Sequence, residues 1–198
     1  MRSFLAVEIP DEIKEYLKTV VRGIAIYADG VKWVNEAARH ITLKFFGEIE
    51  EEMAWNIKKS IEHIGLKYSP FVLTLKDIDA FPSKKRARVI VITLENGVDN
   101  IVDIFNDIEQ NIASLGIEKD ERSFMPHITL GRRKVPAPLP EKALVEIDRK
   151  SFNVSALVLF KSTLTSQGAI YAPAWEIKIQ GQKGVKGVSP NPAEGVTR

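Results

Sequence analysis

His40-Ile41-Thr42-Leu43 and His127-Ile128-Thr129-Leu130 are one four-residue string occurring twice, and what precedes each copy is also alike. Before the first, Phe4-Leu5-Ala6-Val7 leads to a stretch from Asp11 with Ile13, Leu17, Val20 and Ile24 at helical spacing. Before the second, Val89-Ile90-Val91-Ile92 leads to Ile101, Ile104, Ile108, Ile112 and Leu115, spaced the same way. Strand, helix, motif therefore occurs twice, the mark of an internal duplication. Halves this small cannot each bury both faces of a sheet. They are expected to pack against one another, with equivalent residues flanking the cleft between them.

The remaining pattern fits this frame. A further amphipathic helix carries Met53, Ile57, Ile61 and Ile64 before Gly65, and the helix ending at Leu115 is followed by Gly116; both glycines read as C′ stops. Strand-like stretches are Ser3 to Ile9, His40 to Phe46, Phe71 to Ile78, Arg88 to Leu94, His127 to Leu130, Phe152 to Phe160 and Trp175 to Ile179. The fold class is α+β. Residues 1–180 form a single domain, and 181–198, rich in Gly, Pro, Ser and Lys without apolar periodicity, read as a flexible tail.

Composition narrows the chemistry. The chain of 198 residues has no cysteine, which excludes disulfides, thiolate metal sites and Cys nucleophiles and fits a reducing compartment. The N-terminus alternates like a strand and meets Glu8 early, unlike a signal peptide, and no apolar run is long enough to span a bilayer. A soluble, cytoplasmic monomer is expected. A net charge of +2 is too small to attract a polyanion by itself, so any phosphate-binding charge has to be local.

The motif supplies the catalytic candidates. On a strand, side chains alternate, so His40 shares a face with Thr42, and His127 with Thr129. If an approximate two-fold axis relates the halves, two imidazole–hydroxyl pairs converge on one cleft and flank a small anion of phosphate size. The hydroxyls can donate to non-bridging phosphate oxygens, and histidine exchanges a proton near neutral pH. A single His-x-Thr on a strand is usually structural; two matching copies, holding two of the chain's three histidines, are not explained that way. The third, His63, lies between Ile61 and Ile64 and is excluded. Arg132, just past the second motif, can neutralise phosphate charge, and by alternation Lys44 shares the face of His40 and Thr42. Lys84-Lys85-Arg86 with Arg88 reads as a hairpin turn whose functional alternative is contact with an RNA backbone. Trp33, Phe4 and Tyr171 are aromatics that belong either to the core or under a terminal base.

On these residues the sequence resembles the two-histidine phosphoesterases, whose signature is a pair of His-x-Thr motifs each followed by a hydrophobic residue. Within them it is similar to the RNA 2′,3′-cyclic phosphodiesterases, also called 2′-5′ RNA ligases, over residues 1 to 179. The matching stretches are Met1 to Ala6, His40 to Ile49, Pro126 to Arg132 and Lys161 to Thr165, with a departure at Gly168-Ala169-Ile170-Tyr171, where the family often has proline after the glycine. The resemblance implies a bilobal fold of pseudo-two-fold symmetry, two antiparallel sheets around a central cleft and helices on the outer faces. It implies RNA ends bearing a 2′,3′-cyclic phosphate as partner, and neither metal nor cofactor. It makes His40 the proton donor to the leaving ribose oxygen and His127 the acceptor from water, with Thr42 and Thr129 holding the phosphate.

Three rival readings stand beside this one. The reverse reaction would make the protein a 2′-5′ RNA ligase. A metallohydrolase would pair the histidines with carboxylates such as Asp77 or Asp79, but neither His-x-Thr is a chelating pair. An RNA-binding module without catalysis would have little use for both motifs intact.

Overall fold

Proline at position 10 and the acids Asp11 and Glu12 mark where the first strand gives way to helix, since carboxylates favour the positive end of the helix dipole. In the computed structural model, which describes residues 1–165 and 168–181, that strand is β1 (Arg2–Glu8) and the helix is α1 (Asp11–Ala25). There follow β2 (Val31–Trp33), β3 (His40–Glu48), α2 (Glu51–Ile61), the short α3 (Ile64–Lys67), β4 (Phe71–Phe81) and β5 (Ala87–Glu95). The chain continues through α4 (Val98–Ile112), β6 (His127–Ala137), β7 (Ser151–Val154), β8 (Ala156–Thr165) and β9 (Gly168–Lys178).

The fold is α+β, with two antiparallel sheets. One runs β3-β1-β8-β9 and the other β2-β6-β5-β4-β7. Each has a motif strand (β3 or β6) paired with the strand that opens its own repeat (β1 or β5), so the duplication is visible as equivalent strand pairs. The halves are not contiguous in sequence, however. The first sheet is completed by the C-terminal hairpin β8–β9, and β2, from the first half, lies along the second motif strand.

The amphipathic stripes are buried as expected: Ile13, Leu17 and Ile24 on α1, Ile57 and Ile61 on α2, and Ile101, Ile104, Ile108 and Ile112 on α4. α2 and α4 pack against each other, and the apolar faces of both sheets merge into one core. Among the described residues no helix is long and apolar enough to cross a membrane.

Several expectations need correction. Gly116 ends the helical region in the left-handed conformation, φ 77°, as a C′ glycine should. Gly65 does not: α2 stops at Ile61, and Gly65 lies inside α3, where a Cβ would sit 2.4 Å from the Lys178 carbonyl oxygen. This glycine permits close packing, not a turn. The stretch Phe152 to Phe160 is interrupted at Ser155, its first part joining one sheet as β7 and its second the other as β8. The tail reading falls, beyond Gly181, on residues outside those described.

Candidate active site

Both motif strands carry the same irregularity. Along β3, Thr42 pairs with Ala6 but Lys44 pairs with Leu5; along β6, Thr129 pairs with Val91 but Gly131 pairs with Ile90. One extra residue is therefore accommodated just past each threonine, a β-bulge that reverses the alternation beyond it. The histidine and threonine of each motif keep a common face, and the residue five places past each histidine joins them. In the first half this is Phe45, in the second Arg132. Lys44, expected beside His40 and Thr42, is turned away: it is buried, with its Nζ 2.9 Å from Glu109 Oε1.

The two imidazoles are held alike. His127 Nδ1 lies 2.7 Å from the Met125 carbonyl oxygen, and His40 bonds the carbonyl of Ala38, in each case two residues upstream. A carbonyl only accepts, so Nδ1 of His127 carries the proton and Nε2 is left to receive or deliver one. The surroundings differ. The His40 ring stacks on Phe4 at 4.5 Å between centroids and meets the edge of Tyr171 at 5.5 Å, whereas His127 meets Phe81 edge-on at 5.0 Å.

Burial dominates the proton affinity of both. It lowers the His40 pKa to about 4 against the Ala38 carbonyl, which raises it, and Arg132, His127 and Lys14 add repulsion. It also lowers that of His127, again opposed by a carbonyl (Met125) and assisted by Arg132. His40 thus feels both His127 and Arg132 from across the pseudo-axis.

Thr42, His127, Thr129 and Arg132 line one cleft of about 390 Å³, with Phe45, Phe81 and Phe124 as its apolar walls. His40 is not among the lining residues; it stands beside Thr42 on β3, under the aromatic cluster. One rim is the segment from Asp120 to Met125, between α4 and β6, which belongs to no strand or helix. It is tied down from beneath. Lys44 Nζ donates to the Glu118 carbonyl at 2.8 Å, and Glu109 Oε2 accepts from the Asp120 backbone N–H at 2.8 Å. Phe124 stacks on Phe105 at 4.3 Å. Comparing the two repeats residue by residue past their histidines would have pointed to Phe45; nothing local pointed to Lys44 and Glu109.

The other sequence candidates lie elsewhere or serve otherwise. His63 is exposed at the end of α2, outside the cleft. Asp77 lies 3.7 Å from Arg149, and Asp79 accepts from the Ala80 backbone, so neither joins the histidines. Phe4 and Tyr171 enclose His40, and Trp33 packs over Gly131, where a Cβ would come within 2.9 Å of its ring. Lys84–Arg86 form a short 3₁₀ turn between β4 and β5.

The chain matches the family model for LigT-like phosphoesterases twice in tandem, over residues 7–91 and 92–171, each match holding one His-x-Thr motif. It is 37% identical over 176 residues to a protein of Methanocaldococcus jannaschii named RNA 2′,3′-cyclic phosphodiesterase, covering 86% of this chain and 96% of that one. A Thermotoga maritima protein of the same name is 29% identical, covering 91% and 97%. Among solved structures, a Thermus thermophilus protein superimposes with a TM-score of 0.79 at 26% identity, over 92% of this chain and all of that one (100%). Escherichia coli LigT in complex with 3′-AMP shares the fold, with a TM-score of 0.72 at 23% identity, over 90% and 97%. With both repeats matched, the chain belongs to the LigT-like phosphoesterase family.

Proposed function

We propose that the protein hydrolyses terminal 2′,3′-cyclic phosphates of RNA to 2′-phosphates, with His40 and His127 as general acid and base. The observation that carries this reading is that Thr42, His127, Thr129 and Arg132 line one cleft, with His40 beside Thr42 on β3 and each imidazole anchored by a carbonyl two residues upstream. The names of the relatives supply the substrate class.

In this mechanism His127 Nε2 accepts a proton from water as its oxygen attacks phosphorus. The bond to the ribose 3′-oxygen breaks in line with that attack, and His40 delivers a proton to the departing oxygen. The product carries a 2′-phosphate and a free 3′-hydroxyl. Thr42 and Thr129 donate to the non-bridging oxygens, and Arg132 offsets their charge. Burial disfavours the charged form of both rings; the anionic diester supplies the charge that stabilises protonated His40. Each proton transfer contributes on the order of 10²- to 10⁴-fold, and no metal enters the scheme.

The test is a short RNA ending in a 2′,3′-cyclic phosphate, incubated with the protein in chelator. The expected product resists a phosphatase specific for 3′-phosphates and yields to one that accepts 2′-phosphates. An exclusively 3′-phosphate product would reverse the donor and acceptor labels. Adding RNA with a 5′-hydroxyl to the same assay reads the ligation direction.

A further inference from the structure

A second hollow adjoins the cleft and has no part in the chemistry above. It arises because β2 crosses from the first half to the edge of the second sheet, setting Lys32 directly opposite Arg132. Arg132 lines both spaces. Beyond it a groove of about 730 Å³ runs past Lys32, Arg88 and Lys134, with Asp29 as its one acid. Lys134 follows Arg132 on the same face of β6, while the intervening Arg133 turns inward, donating to the Ala137 and Pro138 carbonyls at 3.2 Å.

The charge of this groove is one-sided: five basic residues line it against the single acid Asp29. Some cations elsewhere on the surface are matched: Lys14 to Glu8 and Asp11, Lys18 to Glu15 and Glu36, Lys67 to Asp107. Lys32, Arg88 and Lys134 are exposed, and among the described residues none of the three is in an ion pair. Holding like charges together without counter-charges costs stability, and a protein of net charge +2 has no general need of it. A polyanion lying along the groove would supply the missing charge.

We propose that this groove binds the RNA strand on the 5′ side of the terminal nucleotide, with backbone phosphates against Lys32, Arg88 and Lys134. The proposal rests on the reading of the cleft as the seat of a cyclic phosphate end. Since Arg132 stands at the junction, a strand whose last phosphate lies between the histidines leaves the cleft past that residue and enters the groove. The contacts are to phosphates, so they confer a preference for longer RNA without reading its sequence.

The experiment compares wild type with the triple variant Lys32→Gln, Arg88→Gln, Lys134→Gln, which alters exposed side chains and leaves the cleft intact. Binding of a fluorescein-labelled RNA of about ten nucleotides is followed by anisotropy across a salt series. Turnover is measured on adenosine 2′,3′-cyclic phosphate and on a ten-nucleotide RNA ending in the same group. For single strands each phosphate contact contributes about 0.7 to the slope of log affinity against log salt, so the variant's slope is expected to be shallower by about 2. Its kcat/KM should fall at least about tenfold on the long substrate at low salt and stay unchanged on the mononucleotide. An unaltered slope, or equal losses on both substrates, would overturn the groove assignment. Absence of wild-type turnover on either substrate would instead sink the reading of the cleft, while the binding slope still decides the groove.

Discussion

β3 and β6 carry the same four residues, the same bulge and the same carbonyl anchor, yet they surround their histidines differently. His40 sits beneath Phe4, with the Phe160 ring 6.4 Å away and the Tyr171 edge beside it; His127 has one aromatic neighbour, Phe81, and faces the open cleft. Five residues past each histidine stand an apolar ring, Phe45, and a cation, Arg132. Four residues past, Lys44 reaches a buried carboxylate, whereas Gly131 has no room for a side chain because Val31 and Trp33 of β2 lie across it. Duplication explains why each sheet presents the same imidazole and hydroxyl on one face of its motif strand. Under the proposed mechanism, what the halves do not share would let one give a proton and the other take it.

The comparison breaks most severely at the histidines. His40→Ala and His127→Ala should each lower kcat by about 10²- to 10⁴-fold, the worth of one positioned proton transfer. The double variant should lose little more than the worse single one, because the two act as a unit. Thr42→Ala and Thr129→Ala should be milder, costing about 1 to 3 kcal/mol for one hydrogen bond to a charged acceptor. Steady-state rates with unchanged circular dichroism check the set. Near-wild-type turnover in either histidine variant would end the acid–base assignment.

A second break falls on stability. Lys44→Met leaves the Glu109 carboxylate, itself buried, with the Asp120 N–H and no counter-charge. Stranding one member of a buried ion pair costs about 3 to 5 kcal/mol, whereas replacing both by apolar residues is often near neutral. Urea denaturation of Lys44→Met should show that loss, and Lys44→Met with Glu109→Leu should recover most of it. If the double variant is as unstable as the single one, the pair is not the anchor of the rim from Asp120 to Met125.

These contrasts also show what a linear reading can and cannot reach. α1, α2 and α4 were legible because a 3.6-residue stripe is a local property, and the histidine–threonine faces were legible because alternation over three residues is too. The bulges were not, since a bulge exists only relative to a partner strand, and alternation carried past Thr42 puts Lys44 on the wrong face. β2 was missed because three residues are too short to show a period and their partner strand lies about a hundred residues on. The break at Ser155, which sends one apolar stretch into two sheets, left no composition signal. The rim of the cleft depends on Lys44 and Glu109, 65 residues apart, a pairing no local pattern announces.

The smallest effect expected is also the one that most directly measures the asymmetry. Burial makes the charged form costly at both rings, so His40 titrates at about 4 and His127 below its ordinary range in the unliganded protein. If His40 must be protonated and His127 neutral, burial disfavours the active form by making protonated His40 costly. The kcat/KM profile is nonetheless bell-shaped, because the product of the two required states falls on either side of the two macroscopic values. Below the lower value the acceptor becomes protonated; above the higher one the donor is lost. Both limbs should therefore lie below the usual histidine value of about 6.5, one of them near 4, with a tenfold fall per pH unit beyond each. Once the anionic diester is bound, imidazolium is favoured, so the alkaline limb of kcat should lie above that of kcat/KM. Initial rates on adenosine 2′,3′-cyclic phosphate, taken at subsaturating and saturating concentrations across the pH range, separate the two profiles. An alkaline limb of kcat at or below that of kcat/KM would mean that the substrate does not charge the donor, and that the ring cluster over His40 has some other purpose.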